Sequence, residues 1–194
     1  MVDYSIAAFP TEYKGRMYRS RLEARWAAFF DRLGIAAEYE PFDLGAWSPD
    51  FLLTDLNTLV EIKPLTEFDG EAWAKAIVAC KDRGLLTGDN QISGLFMSLV
   101  APYNLKSAVV QIGWLAMPWL DDGMSPHPAF LGWQCDADYP TFFPDIIVVI
   151  SRGRWVSAAG HDGSSDDEPC PYVEHTMRQW ALATSDVQWQ SDAE

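Results

Sequence analysis

The stretch that decides the fold is residues 48–63, which read SPDFLLTDLNTLVEIK. Two short apolar runs, Asp50 to Thr54 and Thr58 to Lys63, are separated by the turn-forming residues 55–57. This pattern predicts two strands joined by a tight connection. Pro64 then ends the second strand, because proline has no backbone N–H to donate.

The second strand carries two charged side chains on one face. Side chains alternate between the faces of a strand, so Val60 and Ile62 are expected in the core and Glu61 and Lys63 share the opposite face. If Asp50 begins the neighbouring strand, its carboxylate lies beside that of Glu61. The alternative is that Glu61 and Lys63 form an ordinary solvated strand face.

The segment before these strands, Arg16 to Leu33, is predicted to be a helix because its apolar residues recur at spacings of four, three and four. The stripe consists of Leu22, Trp26, Phe29 and Leu33. Gly34 follows as a helix stop. Ala37 to Phe42 is predicted to be a first strand.

The remainder of the chain reads as one more helix, further strands and a closing helix. The predicted helices are Glu67 to Arg83 and Tyr172 to Ala183. The predicted strands are Gly94 to Val100, Ala108 to Met117, Ile146 to Ser151 and Arg154 to Ser157, the last pairing back onto the one before it. The predicted loops are Asp121 to Pro128 and Ala159 to Pro171. This order predicts an α/β fold with a mixed central β-sheet flanked by helices.

The bulk composition indicates a folded, soluble protein. At 194 residues with 48% apolar residues, residues 1–194 suit a single domain, with a core at about 10–157 and an acidic loop and C-terminal helix at 158–194. No apolar run reaches the roughly 18–20 residues that a membrane span needs. We therefore expect no membrane partner and a cytoplasmic protein. The three cysteines form no C-x-x-C pair, so neither a disulfide framework nor a zinc ribbon is indicated.

Net charge is −14, which argues against broad, non-specific phosphate binding. Six basic residues nevertheless fall within a short stretch that we call the basic strip. They are Lys14, Arg16, Arg19, Arg21, Arg25 and Arg32. Two interpretations remain open for the basic strip: an ordinary solvated helix face, or a local phosphate-contacting surface on an acidic body.

Asp50, Glu61 and Lys63 together suit phosphodiester hydrolysis. Two carboxylates supply the hard oxygen ligands that Mg²⁺ prefers. Such an ion polarises the phosphate and lowers the pKa of a bound water. A nearby lysine can position that water and stabilise the developing charge.

The motif Pro49-Asp50, followed by Glu61-Ile62-Lys63, resembles the signature of the PD-(D/E)XK, or restriction-endonuclease-like, nuclease superfamily. The segment from Tyr18 to Phe30 resembles the opening helix of small phage and bacterial endonucleases of this superfamily, and is also similar to nuclease subunits of transposition machineries. Tyr39-Glu40-Pro41 adds to the likeness. The resemblance covers about residues 10–85.

The resemblance implies a restriction-endonuclease-like fold and extends the site. Glu23 matches the first-helix acidic residue that completes the metal site in this family; the alternative is an ion pair between Glu23 and Arg19, four positions earlier. Glu23, Asp50 and Glu61 would bind Mg²⁺ or Mn²⁺, and Lys63 would serve the attacking water. Lys75, on the following helix, is a further candidate for contact with nucleic acid, beside the alternative of a solvated lysine.

Two functions follow as expectations. The first is a Mg²⁺-dependent DNA endonuclease of phage or mobile-element type, acting in the cytoplasm of a bacterium or a phage-infected host cell. The basic strip residues from Lys14 to Arg25 would hold the DNA backbone, and a protein partner or a second copy of the chain could assist. The alternative is a protein that keeps the nuclease fold but acts without cleavage, as an acidic protein-binding, anti-defence or recombination accessory subunit.

Overall fold

The computed structural model describes residues 8–104, 110–118, 124–133, 140–143, 148–151, 154–157 and 171–188. The helices are α1 (Arg21–Arg32), α2 (Gly70–Asp82) and α3 (Pro171–Gln188). A single 3-10 turn lies at Thr54–Leu56. The strands are β1 (Thr11–Tyr13), β2 (Arg16–Tyr18), β3 (Ala37–Tyr39), β4 (Phe51–Leu53), β5 (Thr58–Glu61), β6 (Gly94–Asn104), β7 (Val110–Ala116), β8 (His127–Trp133), β9 (Pro140–Phe143), β10 (Val148–Ser151) and β11 (Arg154–Ser157).

Seven strands form one sheet in the order β3-β4-β5-β6-β7-β8-β9. Strands β5 and β6 pair in parallel, and the other neighbours in this sheet pair antiparallel. The pairs β1-β2 and β10-β11 form separate antiparallel hairpins. The protein is therefore a mixed α/β fold with a mostly antiparallel sheet, which confirms the prediction at that level.

The sheet carries a buried apolar cluster on each face. Val60 and Ile62 belong to the cluster that includes the buried residues of α1 and α3. Leu59 belongs to a second cluster with the buried residues of α2. The alternation predicted for β5 is therefore confirmed, but the face of Leu59 and Glu61 is covered by protein rather than by water.

The predicted helix from Arg16 is wrong in its first turn. Lys14 and Gly15 both have positive φ, at 48° and 77°, as in the two-residue turns that suit a β-hairpin. Residues 11–18 therefore form β1 and β2. Helix α1 begins only after Ser20, whose Oγ accepts from the Glu23 N–H at 3.1 Å. A serine followed three residues later by a glutamate is a capping box.

Several other predicted boundaries differ. Helix α2 begins at Gly70 rather than Glu67, because Asp69 caps it and accepts from the N–H groups of Glu71 and Ala72. Helix α3 runs five residues past the predicted end at Ala183, to Gln188. The pairing of β10 with β11 is confirmed. The predicted acidic loop lies outside the described residues, apart from Pro171.

The predicted loop at Asp121 to Pro128 is wrong at its end, and β9 was not predicted. His127 and Pro128 already belong to β8 and pair with β7. Strand β9 pairs with β8 only from Phe130 onward. Pro128 pairs with Trp114 of β7, and the residues that follow β9 lie outside the described part of the chain.

Within the described part of the chain, no helix is both long enough and apolar enough to cross a membrane.

Candidate functional site

Asp50, directly before β4, lies close to Glu61, the last residue of β5. The backbone N–H of Asp50 donates to the Val60 carbonyl at 2.9 Å, one residue before the pairing of Phe51 with Val60. The charge of Glu61 is the second-largest cause, after burial, of the raised pKa of Asp50, so the two carboxylates lie close together. Asp50 is 4% exposed and Glu61 is 8% exposed, so Glu61 does not lie on a solvated strand face.

Asp50 is held in an environment that disfavours its charge. Burial, followed by repulsion from Glu61, raises its pKa from 3.8 to about 7, and Glu23 adds to the repulsion. The backbone N–H of Ile62 donates to Asp50 Oδ2 at 2.7 Å, which opposes the shift, as does Arg19. A carboxyl group whose pKa is raised this far by burial and by neighbouring charges is typical of a functional site.

Glu61 has a donor on each carboxylate oxygen. The Trp47 indole N–H donates to Glu61 Oε2 at 2.7 Å, and Lys63 Nζ lies 2.8 Å from Glu61 Oε1. The backbone N–H of Lys63 donates to Ser98 Oγ on β6 at 3.0 Å. The lysine is thus fixed at its main chain, and its ammonium group shares the face of Glu61.

Glu23 reaches the site from the first turn of α1 and is buried. Its Oε1 accepts from Ser20 Oγ at 2.8 Å, and its Oε2 accepts from the Tyr39 hydroxyl at 2.5 Å. Burial, and then the hydrogen bond to Glu23, raise the pKa of Tyr39 to about 12. The alternative pairing with Arg19 is also present, at 3.7 Å. The alternative interpretation of Glu23 is therefore observed, while its part in a metal site stays a prediction.

Arg19 lies among the acidic side chains. Its Nη2 donates to Asp50 Oδ1, and its Nε lies 3.0 Å from Glu40 Oε1 as well as near Glu23. Burial lowers the pKa of the guanidinium, but the charges of Asp50 and Glu23 more than offset this, and the net pKa is raised. Arg19 thus supplies the positive charge that contacts both Asp50, before β4, and Glu23, on α1.

The rest of the basic strip is not gathered at the site. Lys14 pairs with Asp31 at 2.6 Å, and Arg32 pairs with Asp186 on α3 at 2.7 Å. Arg25 is half-buried, and burial lowers the pKa of its guanidinium. Arg16, Arg21 and Lys75 have exposed side chains, with Lys75 on α2.

Among the described residues, no group of three or more His, Cys, Asp or Glu side chains is arranged to hold a metal ion. The oxygens of Glu23, Asp50 and Glu61 instead have protein donors. Those donors are Ser20, Tyr39, Arg19, Trp47, Lys63 and the backbone of Ile62. The donor chemistry still suits a hard divalent cation, because every acidic ligand candidate offers carboxylate oxygen.

Three supporting side chains were not predicted as parts of the site. Tyr39 was named only as part of the family resemblance, and neither Trp47 nor Ser98 was predicted to have a role in the site. The sequence feature that could have indicated a role for Trp47 in the site is its position directly before Ser48-Pro49-Asp50. Nothing local marks Ser98, which is 35 positions from Lys63 in sequence.

Comparison with protein-family models, with curated proteins and with solved structures gives no match for this chain.

Proposed function

We propose that this protein is a metal-dependent DNA nuclease of the restriction-endonuclease-like type, an endonuclease of phage or mobile-element origin. The observation that carries the proposal is the burial of the Asp50 and Glu61 carboxylates close to one another, with Lys63 Nζ 2.8 Å from Glu61. Burying two like charges together is costly, and structural reasons alone rarely retain such a pair.

The carboxylate oxygens of the site are the kind of ligand that a divalent cation prefers, but their side chains would have to rearrange to hold one, since no group of three is so arranged among the described residues. Asp50 and Glu61 on the sheet, with Glu23 from α1, would hold Mg²⁺ or Mn²⁺. Burial, and then repulsion from Glu61, raises the pKa of Asp50, and a cation bound beside it would favour its charged form. When bound, the ion would polarise the phosphate and acidify a water.

Lys63 is the residue that would act on the substrate. Its ammonium group lies 2.8 Å from Glu61 Oε1 and its side chain is 34% exposed, so it could contact both a water and a phosphate oxygen. Fixing its main chain through Ser98 limits the entropy lost when it engages the transition state. Loss of one such electrostatic contact costs about 100- to 1000-fold in rate.

The acidic body constrains how DNA would bind. With a net charge of −14, affinity for DNA at physiological salt would be weak unless a few cations act locally. The exposed side chains of Arg16 and Arg21, on the segment that leads into Glu23, would contact the backbone. A distorted substrate, a protein partner or a second copy of the chain would add specificity.

The test is cleavage of single-stranded, duplex and branched DNA and of RNA, titrated with Mg²⁺ and Mn²⁺. We expect Asp50→Ala and Lys63→Ala to abolish cleavage while remaining folded by circular dichroism. The matched controls are Asp55→Ala on the exposed 3-10 turn and Lys81→Ala on the exposed face of α2. Undiminished metal-dependent cleavage by both site variants would refute the assignment.

A second candidate function has its own observation. Arg19 already neutralises Asp50, and Trp47 and Lys63 already occupy the oxygens of Glu61. Such internal pairing suits a nuclease fold used as an acidic binding subunit without cleavage. Absence of cleavage on every substrate, together with recovery of one stoichiometric partner, would favour this candidate.

A further inference from the structure

We propose that a cavity beside the β1-β2 hairpin binds one nucleotide of an unpaired DNA strand. The cavity has a volume of about 280 Å³, and we call it the hairpin cavity. Tyr13, Lys14, Arg16 and Tyr18 line it from the hairpin, and residues 35–37 line it from the segment that leads into β3. The identification of the ligand as part of a DNA strand rests on the proposed function.

The hairpin cavity has one more positive than negative side chain in its wall. Lys14 pairs with Asp31 of α1, which also lines the cavity and accepts from the Tyr13 hydroxyl at 3.0 Å. Arg16 forms no ion pair with any described residue. Glu12 lies on the opposite face of the hairpin from Arg16, because side chains alternate along a strand and Arg16 is paired with Tyr13. On a body with a net charge of −14, this local excess of one cation favours an anionic ligand.

The edge of β3 adds main-chain hydrogen-bonding groups to the hairpin cavity. Strand β3 is at the end of the seven-stranded sheet, with β4 on one side and no strand of the described residues on the other. The Thr54 N–H donates to the Ala36 carbonyl at 3.0 Å, so this carbonyl points towards β4. Main-chain groups of successive strand residues alternate in direction, so the N–H and carbonyl of Ala37 point away from β4. One donor beside one acceptor suits the polar edge of an unpaired base.

The size and the walls of the hairpin cavity suit a single nucleotide rather than a duplex. Small-molecule sites typically have volumes of roughly 300–1,000 Å³, so this cavity is close to the lower end of that range. The half-buried Tyr13 ring lines it, and aromatic side chains bind unpaired bases by stacking. Tyr13 and Arg16 are directly opposed across the hairpin, and such side chains begin about 5 Å apart on one face. A nucleotide can therefore place its base on Tyr13 and its phosphate on Arg16.

The hairpin cavity lies close to the buried carboxylates. The Tyr18 ring, which lines the cavity, has its centroid 4.6 Å from that of the Tyr39 ring. The Tyr39 hydroxyl in turn donates to Glu23 Oε2. A strand with one nucleotide in the cavity would therefore present a neighbouring phosphodiester to the carboxylates. Unpaired DNA, rather than an intact duplex, is the substrate class that this arrangement would take.

The experiment measures binding of a fluorescein-labelled oligodeoxythymidine by fluorescence anisotropy, in EDTA and at low salt, so that no cleavage occurs. We expect Arg16→Gln to weaken binding at least about 10-fold, the usual effect of losing one charged hydrogen bond. Ala36→Trp, which fills the cavity from an exposed position and leaves the charge unchanged, should weaken binding by a similar factor. Arg178→Gln removes the same charge at an exposed position of α3 and should change affinity less than about 2-fold, as a screened surface charge does.

A second pair of variants separates base stacking from folding, with circular dichroism as the check on folding. Tyr13→Phe loses the hydroxyl that donates to Asp31 but keeps the ring, and should bind like the wild type. Tyr13→Ala should bind about 5- to 100-fold more weakly, the usual loss when a stacked base loses its aromatic partner. Thymidine monophosphate should compete with the oligonucleotide better than inorganic phosphate, because only the nucleotide has a base to stack.

Wild-type affinity in both Arg16→Gln and Ala36→Trp would overturn the inference, as would equal competition by inorganic phosphate or equal affinity for a duplex of the same length. If the wild type still cleaves DNA in that case, the proposed nuclease function survives. Conversely, binding that depends on the hairpin cavity, with no cleavage of any substrate by the wild type, would support the nucleotide site and count against the nuclease proposal.

Discussion

Replacing Asp50 with asparagine is expected to stabilise the folded protein and, if the proposed nuclease function holds, to abolish cleavage. The ionised carboxylate is buried beside Glu61 and close enough to Glu23 to be repelled by it. An asparagine has the same shape and carries no charge, and its amide oxygen can still accept from the Ile62 N–H. The substitution therefore removes the repulsion and the cost of burying a charge and keeps the backbone contact, but its amide NH2 replaces Oδ1, so the bond from Arg19 is lost.

The pKa shift sets the size and the pH dependence of this effect. Because the pKa of Asp50 rises from 3.8 to about 7 on folding, the folded protein keeps a proton that the unfolded chain releases between those values. Stability of the wild type therefore falls as pH rises through this window, and the full cost is present above pH 7. Three pKa units correspond to about 4 kcal/mol. We expect a gain of about 1–4 kcal/mol at pH 8, since an amide accepts the backbone bond less strongly than a carboxylate.

The assay is urea unfolding followed by tryptophan fluorescence, at pH 5 and pH 8 in the presence of a chelator. The advantage of Asp50→Asn should shrink to less than half between pH 8 and pH 5. Asp55→Asn, at an exposed position on the 3-10 turn, serves as the control and should show little difference at either pH. A variant less stable than the wild type at pH 8, or an advantage that does not change with pH, would refute the reasoning.

Two further predictions test the supporting contacts. Trp47→Phe keeps the ring but removes the N–H that donates to Glu61 at 2.7 Å; we expect cleavage to fall about 10-fold and the free energy of unfolding to fall by about 1–3 kcal/mol. Trp73→Phe loses a similar bond to a backbone carbonyl at 3.1 Å and should lose stability but not cleavage, so equal loss of cleavage in both would count against a role for Trp47. Gly113→Ala would place a Cβ 2.0 Å from the Met97 carbonyl oxygen, and the forced shift should cost about 1–3 kcal/mol. Unchanged urea unfolding of that variant would contradict the close approach of β6 and β7.

The parts of the fold that the sequence predicts well are those set by local patterns. Strands β4 and β5 follow from alternating apolar residues around a short turn. The end of α1 follows from Gly34, which has φ of 69°. The predicted start of α1 is wrong because the apolar stripe carries no information about the turn at Lys14 and Gly15, which precedes the helix. Ser20 and Glu23, read as a capping box, would have corrected it.

Some residues of the candidate site could likewise be predicted from local sequence patterns, whereas others depend on tertiary packing. Asp50, Glu61 and Lys63 could be placed from strand geometry, since they belong to one hairpin and its extension. Tyr39 meets Glu23 only when α1 packs on the sheet. Trp47 reaches Glu61 from the segment before β4, and no spacing rule predicts either contact. The insertion of Arg19 between helix and strand likewise depends on tertiary packing, although its four-residue spacing from Glu23 was visible.

The short connection between β4 and β5 also bears on the order of events during folding. The contact from Ile62 to Asp50 spans 12 positions, whereas that from Arg19 to Asp50 spans 31. Closing the shorter loop costs less chain entropy and is favoured to occur first. The hairpin would then bring Asp50 towards Glu61 before α1 delivers the neutralising guanidinium. Mild acid, which protonates one of the two carboxylates, should therefore speed the folding of this chain.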